Sequence, residues 1–351
     1  MKKELLIASA LVSTMGVASV AEAVTATMSG SHHTGLRGTD LDSSTDSSTA
    51  QVVASSFSVS LSETTDGGVG IASSFMLANE GTTGSQTSGL TLTFTDGSKL
   101  DVINAGNAAK SHDISVPGGA GEASITVTTG NNAQTGLDFF GAGTAIGVEW
   151  HSAADFMADG LKIGASLSVD DGVAADASAA VESSWGLGAT YVTSAGDTAV
   201  TIGAGYSDSD FKDSDSAKPT ANNGFHIGFS AVTGNLTVAA GYANGDKVID
   251  NSTNDEAEIV DNTVTKVGVK YVTGDVTLSV GYTSGAGKDS ATLGTAGTLE
   301  DAKDTTDAGI SYAVASGVTA NLGWKDVSSK DEGGSDDKGG TTWYIGASMS
   351  F

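Results

Sequence analysis

Three stretches of the chain repeat one unit: VTSAGDTAVTIGAGYS at 192–207, VTGNLTVAAGYANG at 232–245 and VTGDVTLSVGYTSG at 272–285. Each is a tight turn followed by strict alternation that ends in Gly-Tyr. Successive side chains of a strand point to opposite faces. Val276, Leu278, Val280 and Tyr282 therefore share one face, and Thr277, Ser279, Gly281 and Thr283 the other. The rule holds for Val200–Tyr206, Leu236–Tyr242 and Val318–Trp324, and for the stretches before each turn. Trp185, Leu187, Ala189 and Tyr191 alternate with Gly and Thr; Phe225, Ile227 and Phe229 alternate with His226, Gly228 and Ser230. The i, i+3, i+4 spacing of an amphipathic helix is absent.

The connections add a second pattern. Tight turns at 194–197, 234–235, 274–275 and 316–317 carry the Gly, Asn and Asp that two-residue hairpins favour. Between them come long acidic stretches at 208–223, 243–261, 283–305 and 325–340. In an up-and-down meander this places short turns on one rim and long loops on the other. About 16 strands result, at roughly 24–36, 49–63, 68–79, 87–95, 98–104, 143–156, 160–170, 182–194, 197–207, 223–233, 235–244, 262–273, 275–285, 305–316, 318–327 and 341–351. An even number of strands of about 9–11 residues is what a tilted membrane strand requires. Sixteen closed strands leave an aqueous channel, and closure removes the edges that hydrocarbon does not tolerate.

Composition decides which face is outside. A wide soluble barrel fills its interior with bulky groups, yet the face opposite the apolar one is Gly, Ser and Thr, and aromatics are only 6% of residues. The inverted arrangement fits: apolar face to lipid, small polar face to water. Tyr206, Tyr242, Tyr282 and Trp324 then form one aromatic girdle, and Tyr191, Phe229, Tyr271 and Tyr312 the other. The expected fold is all-β: a transmembrane antiparallel up-and-down β-barrel with short periplasmic turns and long acidic extracellular loops.

The N-terminus states the destination. Lys2 and Lys3 precede an apolar stretch from Leu5 to about Val20, closed by Ala21-Glu22-Ala23. This reads as a cleaved signal peptide over 1–23, leaving a barrel domain at 24–351. Beyond Val24 no apolar run approaches the length of a spanning helix. The chain has no Cys, which excludes disulfides and thiol chemistry. No nucleophile elbow or phosphate loop is present, and His32-His33 lacks partners at metal-ligand spacing. No enzyme activity is expected. A net charge of −26 with a single Arg argues against nucleic acid as a partner.

The chain ends TTWYIGASMSF, with Trp343, Met349 and Phe351 on one face. This resembles the assembly signal read by the barrel insertion machinery of Gram-negative outer membranes. With VTATMSGSHHTGLRG at the start of the barrel, SFSVSLSETTDGGVGIASSFML after it and the TGDVTLSVGY hairpins, the chain resembles a general diffusion porin of the alphaproteobacterial type. The likeness spans the region after the signal peptide as pattern rather than sharp motif. It implies an integral protein of the cell outer membrane, a homotrimer, passive passage of small hydrophilic solutes and ions, and contact with outer-membrane lipid and lipopolysaccharide. It also implies that a long loop folds inward as a constriction; the matching segment is 105–142. Family members place an Arg/Lys cluster opposite acidic groups there. With Arg37 as its only Arg, this chain departs from that pattern.

Alternation assigns lumen-facing charges: Arg37, Lys99, Asp101, Glu149, Asp155, Lys162, Lys266, Lys270, Asp307 and Lys325. Lys110, His112, Asp113, Glu122 and Asp138 are the constriction-loop candidates. Rings of charge set ion selectivity, and the acidic excess predicts a mild cation preference. No cofactor is required. The acidic runs at 208–216, 250–261 and 331–337 offer oxygen ligands for Ca2+ or another divalent ion, without EF-hand spacing. Two other functions stand beside the diffusion pore. One is a substrate-selective outer-membrane channel on the same barrel. The other is a secreted or surface-attached all-β structural protein or adhesin, which has no need of paired girdles.

Overall fold

The computed structural model describes residues 24–42, 47–79, 86–87, 89–102, 107–119, 146–169, 181–211, 221–251, 256–289, 299–330 and 338–351. Residues 1–23, Glu122, Asp138 and the acidic run 331–337 lie outside them. The strands are β1 (Thr25–Leu41), β2 (Ser48–Thr64), β3 (Gly70–Asn79), β4 in two pieces (Gln86–Thr87 and Leu90–Thr93), β5 (Lys99–Val102), β6 (Ile146–His151), β7 (Leu161–Val169) and β8 (Val181–Ala195). They continue as β9 (Thr198–Phe211), β10 (Ala221–Thr233), β11 (Leu236–Asn251), β12 (Glu256–Thr273), β13 (Val276–Asp289), β14 (Leu299–Ala315), β15 (Val318–Lys330) and β16 (Lys338–Ser350). Each pairs antiparallel with its chain neighbour, and β16 returns to β1, from Ser31↔Ser350 to Leu41↔Gly340. The result is a closed 16-strand up-and-down barrel.

The two pieces of β4 pair with β3 in registers that differ by one residue, which marks a bulge between them. The hairpin turns follow from their residues. Gly234 and Gly274 have φ of +54° and +55° and are followed by Asn235 and Asp275 at negative φ, the pattern of a II′ turn. These turns share one rim with 65–69, 94–98 and 152–160, and with Val24 and Phe351.

The apolar faces point outward. Val280 is 54% exposed, Ile345 53% and Tyr282 42%, and with no core behind them these are lipid-facing values. The first girdle is broader than the alternation predicts. Trp185 sits against Tyr206 with ring centroids 5.4 Å apart, Phe225 against Tyr242 at 6.0 Å, and Trp343 pairs Trp324 in register. Phe351 exchanges backbone hydrogen bonds with Gly30 and meets the Phe57 ring at 6.4 Å.

Two strand expectations need correction. Most long loops are shorter than the sequence suggests. The β11–β12 ladder runs to Asn251↔Glu256, well inside the predicted 243–261 loop. Hydropathy alternation stops where lipid stops, whereas backbone hydrogen bonding continues in water. Conversely, the strand expected over 143–156 ends at His151, because 152–160 forms a turn with positive φ at Asp155 and Met157.

Candidate functional site

A segment of the longest connection, 107–119, lies inside the barrel. Asn107 caps a one-turn helix, α1 (Ala108–Ser111): its side-chain Oδ1 accepts from Ala109 N at 3.0 Å, and its Nδ2 donates to Ser207 Oγ at 2.8 Å. Ala108 N donates to Ser166 Oγ at 2.9 Å. The Nε2–H of His226 donates to the Ala109 carbonyl at 2.6 Å, and its Nδ1 lies 3.7 Å from Asp113. Ala108 and Ala109 are fully buried, and Ala109 meets Ala243 and Val264 in a small apolar cluster within the lumen.

What lets backbone lie so close to the wall is a belt of glycines on the inner face. A Cβ at Gly188 would stand 2.5 Å from the Ala108 carbonyl oxygen, at Gly203 2.3 Å from that of His112, and at Gly268 2.0 Å from that of Pro117. The belt steps across the wall: Gly188↔Gly205, then Gly203↔Gly228↔Gly241, then, two residues on from the Lys266 that faces Gly241, Gly268↔Gly281. The segment thus crosses the inner wall from β8 to β14, ending where Gly119 meets the Ala308 backbone. Beside it is a polar lumen cavity of about 440 Å³, lined in part by Asp113, Ser115, Lys266, Thr283 and Asp307.

The structure places the alternation-assigned charges as follows. Arg37 on β1 shares a face with Tyr344, the seam residue buried in the lumen wall. Lys99 and Asp101 on β5 stand opposite His151 and Glu149 on β6. Lys162 lies on the inner face of β7, opposite Thr190. Lys266 and Lys270 are on the same face of β12 as Gly268; Asp307 and Lys325 oppose one another on β14 and β15. Asp155 is not on the wall. It sits in the 152–160 turn, where its carboxylate accepts from Gly160 N at 2.6 Å. Of the loop candidates, Lys110, His112 and Asp113 are in the docked segment.

Most of these charges, joined by His151, fall into two groups. Lys99, Asp101, Glu149, His151, Lys162 and His112 gather where α1 meets β5–β7; Ser111 donates to Glu149 Oε1 at 2.5 Å, Thr91 to Asp101, and His151 Nε2 lies 3.1 Å from Glu149. Arg37, Lys266, Lys270, Asp307 and Lys325 occupy the arc from β12 round to β1. Burial, and then the neighbouring His151, pushes His112 down to about 4, so its ring is neutral near pH 7. Sequence reading passed over His151 and His226 as site residues. Alternation carries the signal for both, since each is two residues, or one period, from a lumen-facing neighbour.

A profile of the Gram-negative porin family matches residues 8–289, more than half of the chain. No curated protein matches it in sequence. Among solved structures it is similar to an anion-selective porin from Comamonas acidovorans (12% identity, TM-score 0.63, 93% of this chain and 100% of that one). It is also similar to the trimer form of OmpT, an outer membrane protein of Vibrio cholerae (14%, 0.61, 94% and 100%), and to a variant of Rh. blastica porin (15%, 0.55, 93% and 100%). At such identity these likenesses speak for the fold alone. With the family profile, the closed barrel, its lipid-facing girdles and the segment folded into its lumen, they lead to one conclusion: the chain belongs to the Gram-negative porin family and forms an outer-membrane channel.

Proposed function

We propose that this channel is a general diffusion pore for small hydrophilic solutes and ions, mildly cation-preferring. The observation that carries this reading is the docked segment. It narrows the lumen from one side and leaves a polar cavity lined by both signs of charge, with no aromatic track along the described wall. On this reading the short-turn rim is periplasmic and the acidic rim faces outward, against lipopolysaccharide. Residues 1–23 are removed on export, which fits a first strand beginning at Thr25. The barrel is inserted by the barrel assembly machinery and works as a homotrimer.

The cation preference comes from the net charge of −26, which lowers the potential at the mouth and enriches cations there. Exposed charge is screened over about 8–10 Å at physiological salt. The reversal potential across a planar bilayer under a KCl gradient should therefore report K+ over Cl−, and the preference should shrink as both salt concentrations rise. Clear anion selectivity would sink it. Liposome swelling with a size series of sugars and amino acids should show rates that fall smoothly with solute size. Saturable uptake of one solute class would favour the substrate-selective channel instead.

A further inference from the structure

Nε2 of His112 is a buried imidazole nitrogen with no hydrogen-bond partner among the described residues, and the residue is only 6% exposed. Leaving such a group unsatisfied forfeits its hydration with nothing in return. The ring has little freedom to relieve this. Its Nδ1 is 2.7 Å from Thr190 Oγ1, and its edge lies on Gly188, where a Cβ would come within 2.5 Å of it. With Nδ1–H donated to Thr190, Nε2 presents a bare lone pair.

That lone pair has a counterpart. His112 Nε2 and His151 Nδ1 lie 2.7 and 3.1 Å from one common point, the position a Cβ on Gly164 would fill. Glycine leaves the point open, and the two rings are 5.9 Å apart between centroids. His151 is held from behind, since its Nε2 is 3.1 Å from Glu149 Oε1, itself bonded by Ser111. A carboxylate behind one imidazole and a hydroxyl behind the other are the outer supports that fix metal-binding histidines in tautomer and direction. Asp101 brings a second carboxylate: one donor atom each from Asp101, Glu149 and His151 lie within 4.8 Å of one another.

We infer that the junction of α1 with β6 and β7 is a binding site for a divalent transition-metal ion of the zinc type, held by His112 Nε2 and His151 Nδ1 above Gly164. Zinc–nitrogen bonds are about 2.0–2.1 Å, so the ion sits out between the two nitrogens, farther from the Gly164 backbone than a Cβ, and both rings draw in toward it. Lys99 and Lys162 share this wall with the two carboxylates. The local charge therefore does not favour a hard cation, and paired imidazoles select zinc, copper or nickel over calcium. His151 is the open side, with 27% of its side chain exposed to the lumen. Bound metal would staple the constriction segment to the wall.

The test is calorimetric titration of the refolded, metal-stripped full barrel with ZnCl2 and, separately, CaCl2. The expected result is one zinc per chain and no calcium binding at this site. His112→Ala and His151→Ala should each weaken zinc binding by at least about tenfold, and Thr190→Val by about tenfold through loss of the orienting bond. Gly164→Ala should also weaken it while keeping every ligand, and His33→Ala, on distant β1, should leave it unchanged. Heat-modifiable gel mobility verifies that each variant is folded. Absence of zinc binding by the wild type, or zinc affinity within threefold of wild type in the His112→Ala/His151→Ala double variant, would overturn the assignment.

Discussion

Val280→Arg should destabilise the inserted barrel by about 2–4 kcal/mol, the cost of arginine at the lipid-facing midplane of a membrane strand. Val280 lies on β13 between Leu278 and Tyr282, paired with Val269 and Ala308, and 54% exposed on the outer face. The informative comparison is one residue away. Ser279 faces the lumen opposite Lys270, so Ser279→Arg sets like charges side by side. That costs at most about 1 kcal/mol, and water is there to solvate both. Urea titrations of vesicle-refolded protein, followed by heat-modifiable mobility, should separate the two by more than 1 kcal/mol. Ser279→Arg should also alter single-channel conductance. Equal stability of the two variants would mean that the faces are assigned the wrong way round.

A second large effect should come from a single methyl group. Gly268→Ala puts a Cβ 2.0 Å from the Pro117 carbonyl oxygen, a backbone atom that cannot swing aside as a side-chain tip can. Overpacking of this kind costs about 1–3 kcal/mol, here charged to the docking of 107–119 rather than to the barrel. Gly241→Ala, on the neighbouring strand β11 and also facing the lumen, meets only a Val116 methyl at 3.9 Å. Limited proteolysis and hydrogen exchange should show the loop segment released in Gly268→Ala and protected in Gly241→Ala. Conductance should change in the first alone. Identical protection in both would refute docking through the glycine belt.

The barrel was largely legible because lipid enforces a simple code. Each membrane strand must put apolar side chains on every second position, so faces, turns and girdles follow from counting. The code fails where its cause fails. Beyond the girdles both faces of a strand meet water, hydropathy loses its period, and the ladder continuing to Asn251↔Glu256 reads as loop. At 152–160 the residues after Trp150 keep an apolar look in Ala153, Ala154 and Phe156, yet Phe156 turns back to meet Trp150 edge-on at 5.8 Å. The path of the inner segment was illegible for a different reason. Its length was visible, but its track depends on glycines from many strands that become neighbours only on closure. The histidine pair is hidden in the same way: His112 and His151 are brought together by α1 and β6, and nothing in their spacing marks them.

Closure itself has a kinetic consequence. Every ladder but one joins strands adjacent in the chain and can zip locally. The exception is β1–β16, where Arg37 meets Tyr344 and Gly35 meets Gly346. That seam carries by far the largest loop-closure entropy and is the slow kind of contact. Loop-closure entropy favours its forming late, after both partners have paired with their chain neighbours. Its fit is also tight: Tyr344 is fully buried, and a Cβ on Gly35 would strike both its ring and the Ile345 carbonyl oxygen. A fault anywhere else in the wall weakens one hairpin. A fault at this latch leaves two unpaired edges facing hydrocarbon, and the whole sheet stays open.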